Sequence, residues 1–425
     1  MHTHLTRLAF LTLALMLVLS ACGPAATEAP APATEAPVAT EPPAPATEAP
    51  VATEAPAEPF VFGMLLVGPY NDHGWSQAHY EAGLYVEERL NSKMIYLDKV
   101  NPADRPGTTP DQLAEELVAQ GAKLVIFNSD DMKDASTTFA KANPDIYVIM
   151  ASGDQIWSDG KAFEEIPNLT NIMGRMEYGK MIAGCAAALT TQTGQIGYLG
   201  PLINDETRRL AASAYLGAKY CWTNAGNDPA DLQFKVTWIG FWFNIPGFTA
   251  DPTQVADEFF NSGYDVVLSG IDTTEAMVEA DKFSKEGKTV FSIPYDFIGS
   301  CEISPTVCLG VPYFNWGPAY LTEITAASEG NFVSNFQWNG PDWSDLNNPD
   351  TSHVGFVKGD GLSVEAATQV DAFIAELAGG LNLWTGPINL QDGTVYLADG
   401  EVATDQQVWY LPQLLEGMEG QSVPE

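Results

Sequence analysis

The stretch GPYNDHGWSQAHYEAG, residues 68–83, brings Asn71, Asp72, His73 and Trp75 together at one turn. These are residue types that make the wall of a ligand site. An asparagine amide donates and accepts, a carboxylate accepts through a charge, and an indole offers a flat apolar face. The apolar run FVFGMLLV precedes the stretch and a helix-like segment follows it, so the side chains leave the end of a strand. Asn71 and Asp72 could equally cap the helix that follows. Capping does not explain Trp75, which could still be a core or hinge residue.

The same pattern returns at later strand ends. Asn128, Ser129, Asp130 and Asp131 follow KLVIF, and Gly153 and Asp154 follow YVIMAS. Trp242 and Asn244 follow VTWIGF, Asp272 follows VVLSG, and Asp296 follows VFSIPY. An edge that collects carboxylates, amides and two indoles suits a cleft better than a core. One of its walls is expected to hold Trp75 and the other Trp242, as the two faces of an aromatic slot.

Elements that could place these residues alternate along the chain. Strand-like runs such as KMIYLD, DIYVIMAS, GQIGYLG and YDVVLSG are separated by helix-like stretches such as TPDQLAEELVAQG and PTQVADEFFNSG. In the first of these, Leu113, Leu117 and Val118 share a helical face and Gly121 is a natural stop. Strand–helix alternation means parallel sheets covered on both faces, with ligands beyond the carboxyl ends of the strands. More than eight such strands in over 300 residues predict two doubly wound α/β lobes.

The chain has 425 residues and a net charge of −36. Nucleic-acid phosphates would be repelled by such a surface, so no nucleic-acid partner is expected. The chain opens on a short apolar run ending in LSAC, Leu19–Cys22, which reads as a lipoprotein signal peptide (1–21) with lipid on Cys22. Residues 22–59 repeat ATEAP-like units with no aromatic residue to bury before Phe60. A proline-rich tether of that length reaches on the order of 100 Å. The reading is a folded domain held away from the membrane by a spacer.

Four further cysteines are Cys185, Cys221, Cys301 and Cys308. Two disulfides, with Cys301–Cys308 suggested by CEISPTVC, and four separate buried thiols are equally compatible with the sequence. No CxxC pair, HExxH helix, GxSxG elbow or phosphate-binding glycine loop occurs. Neither cofactor nor metal is expected, and no catalytic residue is assigned. A glycosidase-like carboxylate pair would need a separation that sequence does not give.

Residues 68–83, MEYGKMIAGCAAALTTQTGQIGYLG, FSIPYDF and FNWGPAYLTEITAASEGNF resemble the basic membrane protein family, the lipoprotein receptors of ABC importers that include purine nucleoside receptors. The final segment GPINLQDGTVYLADGEVATDQQVWYLPQLLEGMEG is similar to that family's usual ending. The resemblance spans roughly residues 60–420. It implies a type I periplasmic-binding fold, two lobes joined by crossover strands and closing on a small ligand. The first lobe would be 60–174 with about 298–335, and the second 175–297 with about 336–425. Asn71 and Asp72 match the family's first-loop polar pair, Trp75 its aromatic, and Asp296 its aspartate after the last strand of the second lobe. Where the nucleoside branch carries a lysine, this chain has GVPYFNWGP, with Asn315 and Trp316 in its place. That version resembles a branch associated with free purine bases.

The expected ligand-binding set is therefore Asn71, Asp72, Trp75, Asn128, Asp130, Trp242, Asp272, Asp296, Asn315 and Trp316. The expected protein is a lipid-anchored, monomeric receptor that passes a purine base or nucleoside to an ABC permease. A simple-sugar receptor of the same fold is the first alternative, because sugar sites also use aromatic faces with Asp and Asn. A surface-anchored hydrolase or metal-binding lipoprotein is the second.

Overall fold

The computed structural model describes residues 58–424; Cys22, the signal segment and nearly all of the tether lie outside the described residues. Two parallel sheets organise the described chain. The first takes β1 (Phe60–Leu65), β2 (Ser92–Leu97), β3 (Leu124–Phe127), β4 (Tyr147–Ala151) and β5 (Leu169–Gly174). The second takes β6 (Gln195–Gly200), β7 (Gln233–Trp238), β8 (Val266–Ser269) and β9 (Phe291–Ile293). All of these pair in parallel. Every residue of β3, β5 and β8 is buried, as strands covered on both faces require.

Helices between the strands supply that cover. Those of the first lobe are α1 (Trp75–Arg89), α2 (Pro110–Ala119) and α3 (Lys133–Ala142). Thr109 and Gln112 close a capping box on α2, which buries Leu113 and Leu117. The long helices α4 (Met176–Thr190) and α5 (Asp205–Asn224) pack together and are tied by a Cys185–Cys221 disulfide. Cys301 and Cys308 form a second disulfide.

After β9 the chain crosses back through β10 (Gly310–Phe314), which pairs antiparallel with a later strand, Val354–Lys358. Between them, Phe336–Asn339 (β11) adds to the first sheet, parallel to β5. The sequence reading assigned everything after about residue 335 to the second lobe, so this strand crosses that boundary. Its aromatic side chains explain the placement. Phe336 stacks on Trp157 at 5.0 Å and Trp338 meets Trp409 edge-on at 4.9 Å. Met418–Glu419 then pairs with β7 at the edge of the second sheet. No described helix is long and apolar enough to cross a membrane.

Candidate functional site

The loops at the carboxyl ends of the two sheets face each other across a narrow cleft. Trp75, Ser129 and Asp130 line it from the first lobe, and Tyr198, Glu206, Trp242, Asp272 and Tyr295 from the second. Four residues of the sequence-derived set thus share one cavity: Trp75, Asp130, Trp242 and Asp272.

The other six are placed differently. Asn71 is exposed and borders a surface groove with Tyr70, Tyr80 and Glu88, away from the cleft. Asp72 caps α1: its carboxylate accepts from the backbone N–H groups of Gly74, Ser76 and Gln77 at 2.9, 3.0 and 2.9 Å. Asn128 is buried and accepts from Val67 N–H at 2.9 Å, bracing the strand ends. Asn315 donates to the carbonyls of Pro349 and Ser352, which fixes a loop outside the cleft. Trp316 stands behind Trp75, stacked on His79 at 4.3 Å and on Phe314 at 4.8 Å. Asp296 is fully buried, is not part of the cavity lining, and is stitched to β10 through Pro312 and Phe314.

Trp75 combines two roles. It is only 7% exposed, donates its indole N–H to Asn128 O, and meets Phe314 and Trp316 edge-on at 5.3 Å each. It is therefore both a core residue of the first lobe and part of the cavity wall.

Electrostatics set the cavity apart from an ordinary acidic surface. Burial pushes the Glu206 carboxyl up to about 7, against the attraction of Arg209. Burial, reinforced by the Asp296 and Asp72 charges, holds Asp272 well above the usual carboxylate range. Asp296 is raised in the same way, with Lys180 opposing, and neither of its carboxyl oxygens has a hydrogen-bond partner. Lys180 on α4 is 1% exposed and burial pulls it down to about 7. Its Nζ donates to Ser269 O at 2.8 Å and lies 3.2 Å over the Tyr295 ring. Carboxyls that titrate near neutrality can donate a proton as well as accept one. A ligand with both N–H groups and ring nitrogens on its edge meets both needs.

Glu206, Tyr198 and Tyr295 line the cavity and Lys180 packs against Tyr295 outside its lining; sequence reading misses all four. The strand end before α5 carries GPLIN, with no polar side chain before Asn204, so the edge looks empty there. Glu206 reads as one more acid in a helix's first turn. The signal that could have found it is its position one turn beyond the carboxyl end of β6. Lys180 is a lone cation in the small-residue helix MEYGKMIAGCAA, which a solvated helix face would have made unremarkable.

Among the described residues no group of three or more His, Cys, Asp or Glu is arranged to hold a metal ion.

Comparison with known proteins agrees with this architecture. The chain is 27% identical over 350 residues to a purine-binding protein of Brucella abortus, covering 82% of this chain and 90% of that one. It is 26% identical to a Haloferax volcanii protein provisionally named an ABC transporter glucose-binding protein, covering 64% of this chain and 62% of that one. Among solved structures, an ABC transporter solute-binding protein of Aeropyrum pernix superimposes with a TM-score of 0.60 at 13% identity, covering 78% and 93% of the two chains. That likeness shows a type I periplasmic-binding fold. The family model for PnrA-like ABC transporter substrate-binding proteins, the Bmp family, matches residues 60–331, and the chain belongs to that family as the substrate-binding component of an ABC transporter.

Proposed function

We propose that the cleft receives a purine base or nucleoside and hands it to an ABC permease. The observation that carries this reading is the pairing of two indoles from opposite lobes, Trp75 and Trp242, on one cavity that also presents Asp272 and Glu206. A flat heteroaromatic ring can stack on an indole face, and offset stacking adds about 0.5–1.5 kcal/mol beyond the buried area. The carboxyls then read the edge of the ring. Each hydrogen bond to a carboxyl kept neutral by burial contributes about 0.5–1.5 kcal/mol, and to an ionised one about 1.5–3 kcal/mol. The purine-binding name of the Brucella relative supports the same ligand class.

The chain is read as a monomer that binds without turnover. Anchoring through Cys22 rests on the LSAC sequence and the spacer after it. Cys22→Ser should release the protein from membranes; a mutant that fractionates like the parent excludes that anchor.

A simple sugar is the second reading, favoured by the name of the Haloferax relative. A thermal-shift panel of adenine, hypoxanthine, adenosine, inosine, D-glucose and D-ribose separates the two, because a ligand of the folded state alone raises its apparent stability. A shift with purines and none with sugars is expected, and the reverse pattern replaces the purine reading.

A further inference from the structure

The two sides of the cleft are built differently. On one side Asp130 and Glu206 of the cavity wall lead to Lys133, Asp154 and Arg209, with Trp409 behind them. The C-terminal segment that carries Trp409 is tied to both lobes there. Tyr410 donates its hydroxyl to Asp154 Oδ2 in the first lobe, and Leu411 O accepts from Arg208 Nε on α5 at 2.7 Å. Trp409 itself is buried against Arg209 and Trp338. On the other side the opening is spanned by the Trp242–Asp131 hydrogen bond, a contact between side chains that can part. That leaves the Trp242 side as the way out for a ligand.

The rim of that side is apolar in a chain of net charge −36. Residues 240–250, GFWFNIPGFTA, follow β7 and hold no charge. Phe241 forms one bank of a groove, and Val100, Pro102, Thr108, Pro110 and Met132 of the first lobe form the other. Phe243 meets Phe241 edge-on at 5.1 Å, and a Cβ on Gly68 of the first lobe would stand 3.8 Å from its ring. The groove therefore exists while the lobes are together and splits when they part.

Phe248 stands at the tip of this loop. It is 88% exposed, more than any other large apolar side chain among the described residues. The loop around it is ordered. Ala250 N–H donates to Ile239 O at 2.9 Å and closes the base, and Phe248 N–H donates to Ile245 O at 3.0 Å and closes the tip. Ile245 N–H donates to Thr249 Oγ1 at 2.9 Å. Pro246 and Gly247 make the corner, with Gly247 at φ 86° as such a turn requires. A ring held out in water by a hydrogen-bonded turn marks an interaction surface, and it loses little freedom when a partner buries it.

We propose that this rim is the docking face for the permease. Phe248 enters an apolar pocket of the permease, and the groove between Phe241 and the Pro102–Pro110 loop receives one of its external segments. Three observations choose that occupant. A substrate-binding component meets its permease where the ligand leaves, and the Trp242 side is that place. The groove takes one wall from each lobe, so a partner that binds it distinguishes the closed form from the open one. An uncharged aromatic rim on an acidic protein fits an apolar partner surface, with Phe248 as its anchor. The proposal rests on delivery to a permease and not on which ligand the cleft takes.

The test is photo-crosslinking of the full chain in the cells that make it, with p-benzoylphenylalanine in place of Phe248, Thr108 or Val364. Phe248 and Thr108 sample the rim on the two lobes, and Val364, 86% exposed, lies outside the groove. Adducts are identified by mass spectrometry. Phe248 and Thr108 are each expected to give an adduct with the membrane-spanning permease subunit, at least fivefold more than Val364. Phe248→Asp should lower the Thr108 adduct at least fivefold. An adduct with a second copy of the chain makes the rim a dimer contact, and an adduct with lipid makes it a membrane contact; either overturns the proposal. It is also overturned by a permease adduct from Val364 at the same level, from one rim position alone, or from neither, and by a Thr108 adduct that Phe248→Asp leaves unchanged. The readout does not depend on the ligand, so failure of the purine reading in a titration is a separate result.

Discussion

The indole Nε1 of Trp242 donates a 3.2 Å hydrogen bond to Asp131 Oδ2, and the two residues stand on opposite lobes. The bond follows from the strand-end placement of both: Asp131 comes just after β3 and Trp242 just after β7. Burial and the neighbouring Asp130 charge push Asp131 up to about 6, while the indole N–H pulls the other way. Trp242 thus lines the cavity and latches its mouth. Trp242→Phe keeps the ring and removes the donor, a loss of about 1 kcal/mol for a partly exposed bond. Ligand affinity should fall about fivefold, with the melting of the ligand-free protein nearly unchanged. Equal affinity in a titration of the two proteins would mean that the bond does not hold the closed form.

A second contact between the lobes is backbone on backbone. A Cβ on Gly74 would come within 1.8 Å of Asp272 O, so only glycine permits this approach. Gly74→Ala should stop the lobes from closing while leaving each lobe folded. Small-angle scattering of the wild type should show a smaller radius of gyration when ligand is added, and the variant should show none of that contraction. A variant that contracts as the wild type does would place the closing surface elsewhere.

Trp75 needs two substitutions because it serves both core and cavity. Removing a buried aromatic side chain costs about 3–5 kcal/mol, so Trp75→Ala should lower the melting temperature as well as the affinity. Trp75→Phe keeps an apolar ring in the cluster with Phe314 and Trp316 but loses the bond to Asn128. It should melt closer to the wild type and still bind several-fold more weakly. If Trp75→Phe binds at full strength, the indole serves the core alone.

The contrast between Trp75 and Asp72 shows how far the sequence could be read. Both were legible as strand-end residues, and the α/β alternation located nearly every strand end that builds the cleft. Which way a side chain turns from that edge was not legible. Asp72 turns back to cap its own helix, a local use that competes with any ligand. Asn315 likewise serves the backbone of a loop far along the chain, a contact that no local pattern announces. Glu206 and Lys180 escaped notice because their role comes from burial beside distant carboxyls. Burial of that kind is a property of packing between α4, α5 and the second sheet.

Asp296 gives a prediction for pH. Its carboxyl is held well above the usual range mainly by burial, and its oxygens lack partners. The folded state therefore binds this proton more tightly than the unfolded chain. The resulting stability is present at acid pH and is lost as pH rises through the raised value. Asp296→Asn cannot ionise, and asparagine tolerates the left-handed backbone found there, φ 74°. At pH 7.5 the variant should melt at or above the wild type, and the gap should narrow toward pH 5. Opposing changes from His79 and His353, both lowered by burial, are common to the two proteins and cancel in the difference. A variant that melts well below the wild type at pH 7.5 would show instead that an ionised Asp296 is stabilised by Lys180.

The most direct test of the central claim is a calorimetric titration of the ligand-free protein with adenine, adenosine, hypoxanthine, inosine and D-glucose. At least one purine is expected to bind at one site per chain, to lose at least tenfold in affinity, about 1.4 kcal/mol, in an Asp272→Asn variant, and to leave glucose without measurable heat. Saturable heat from glucose with none from any purine would contradict the assignment and make the cleft a sugar site.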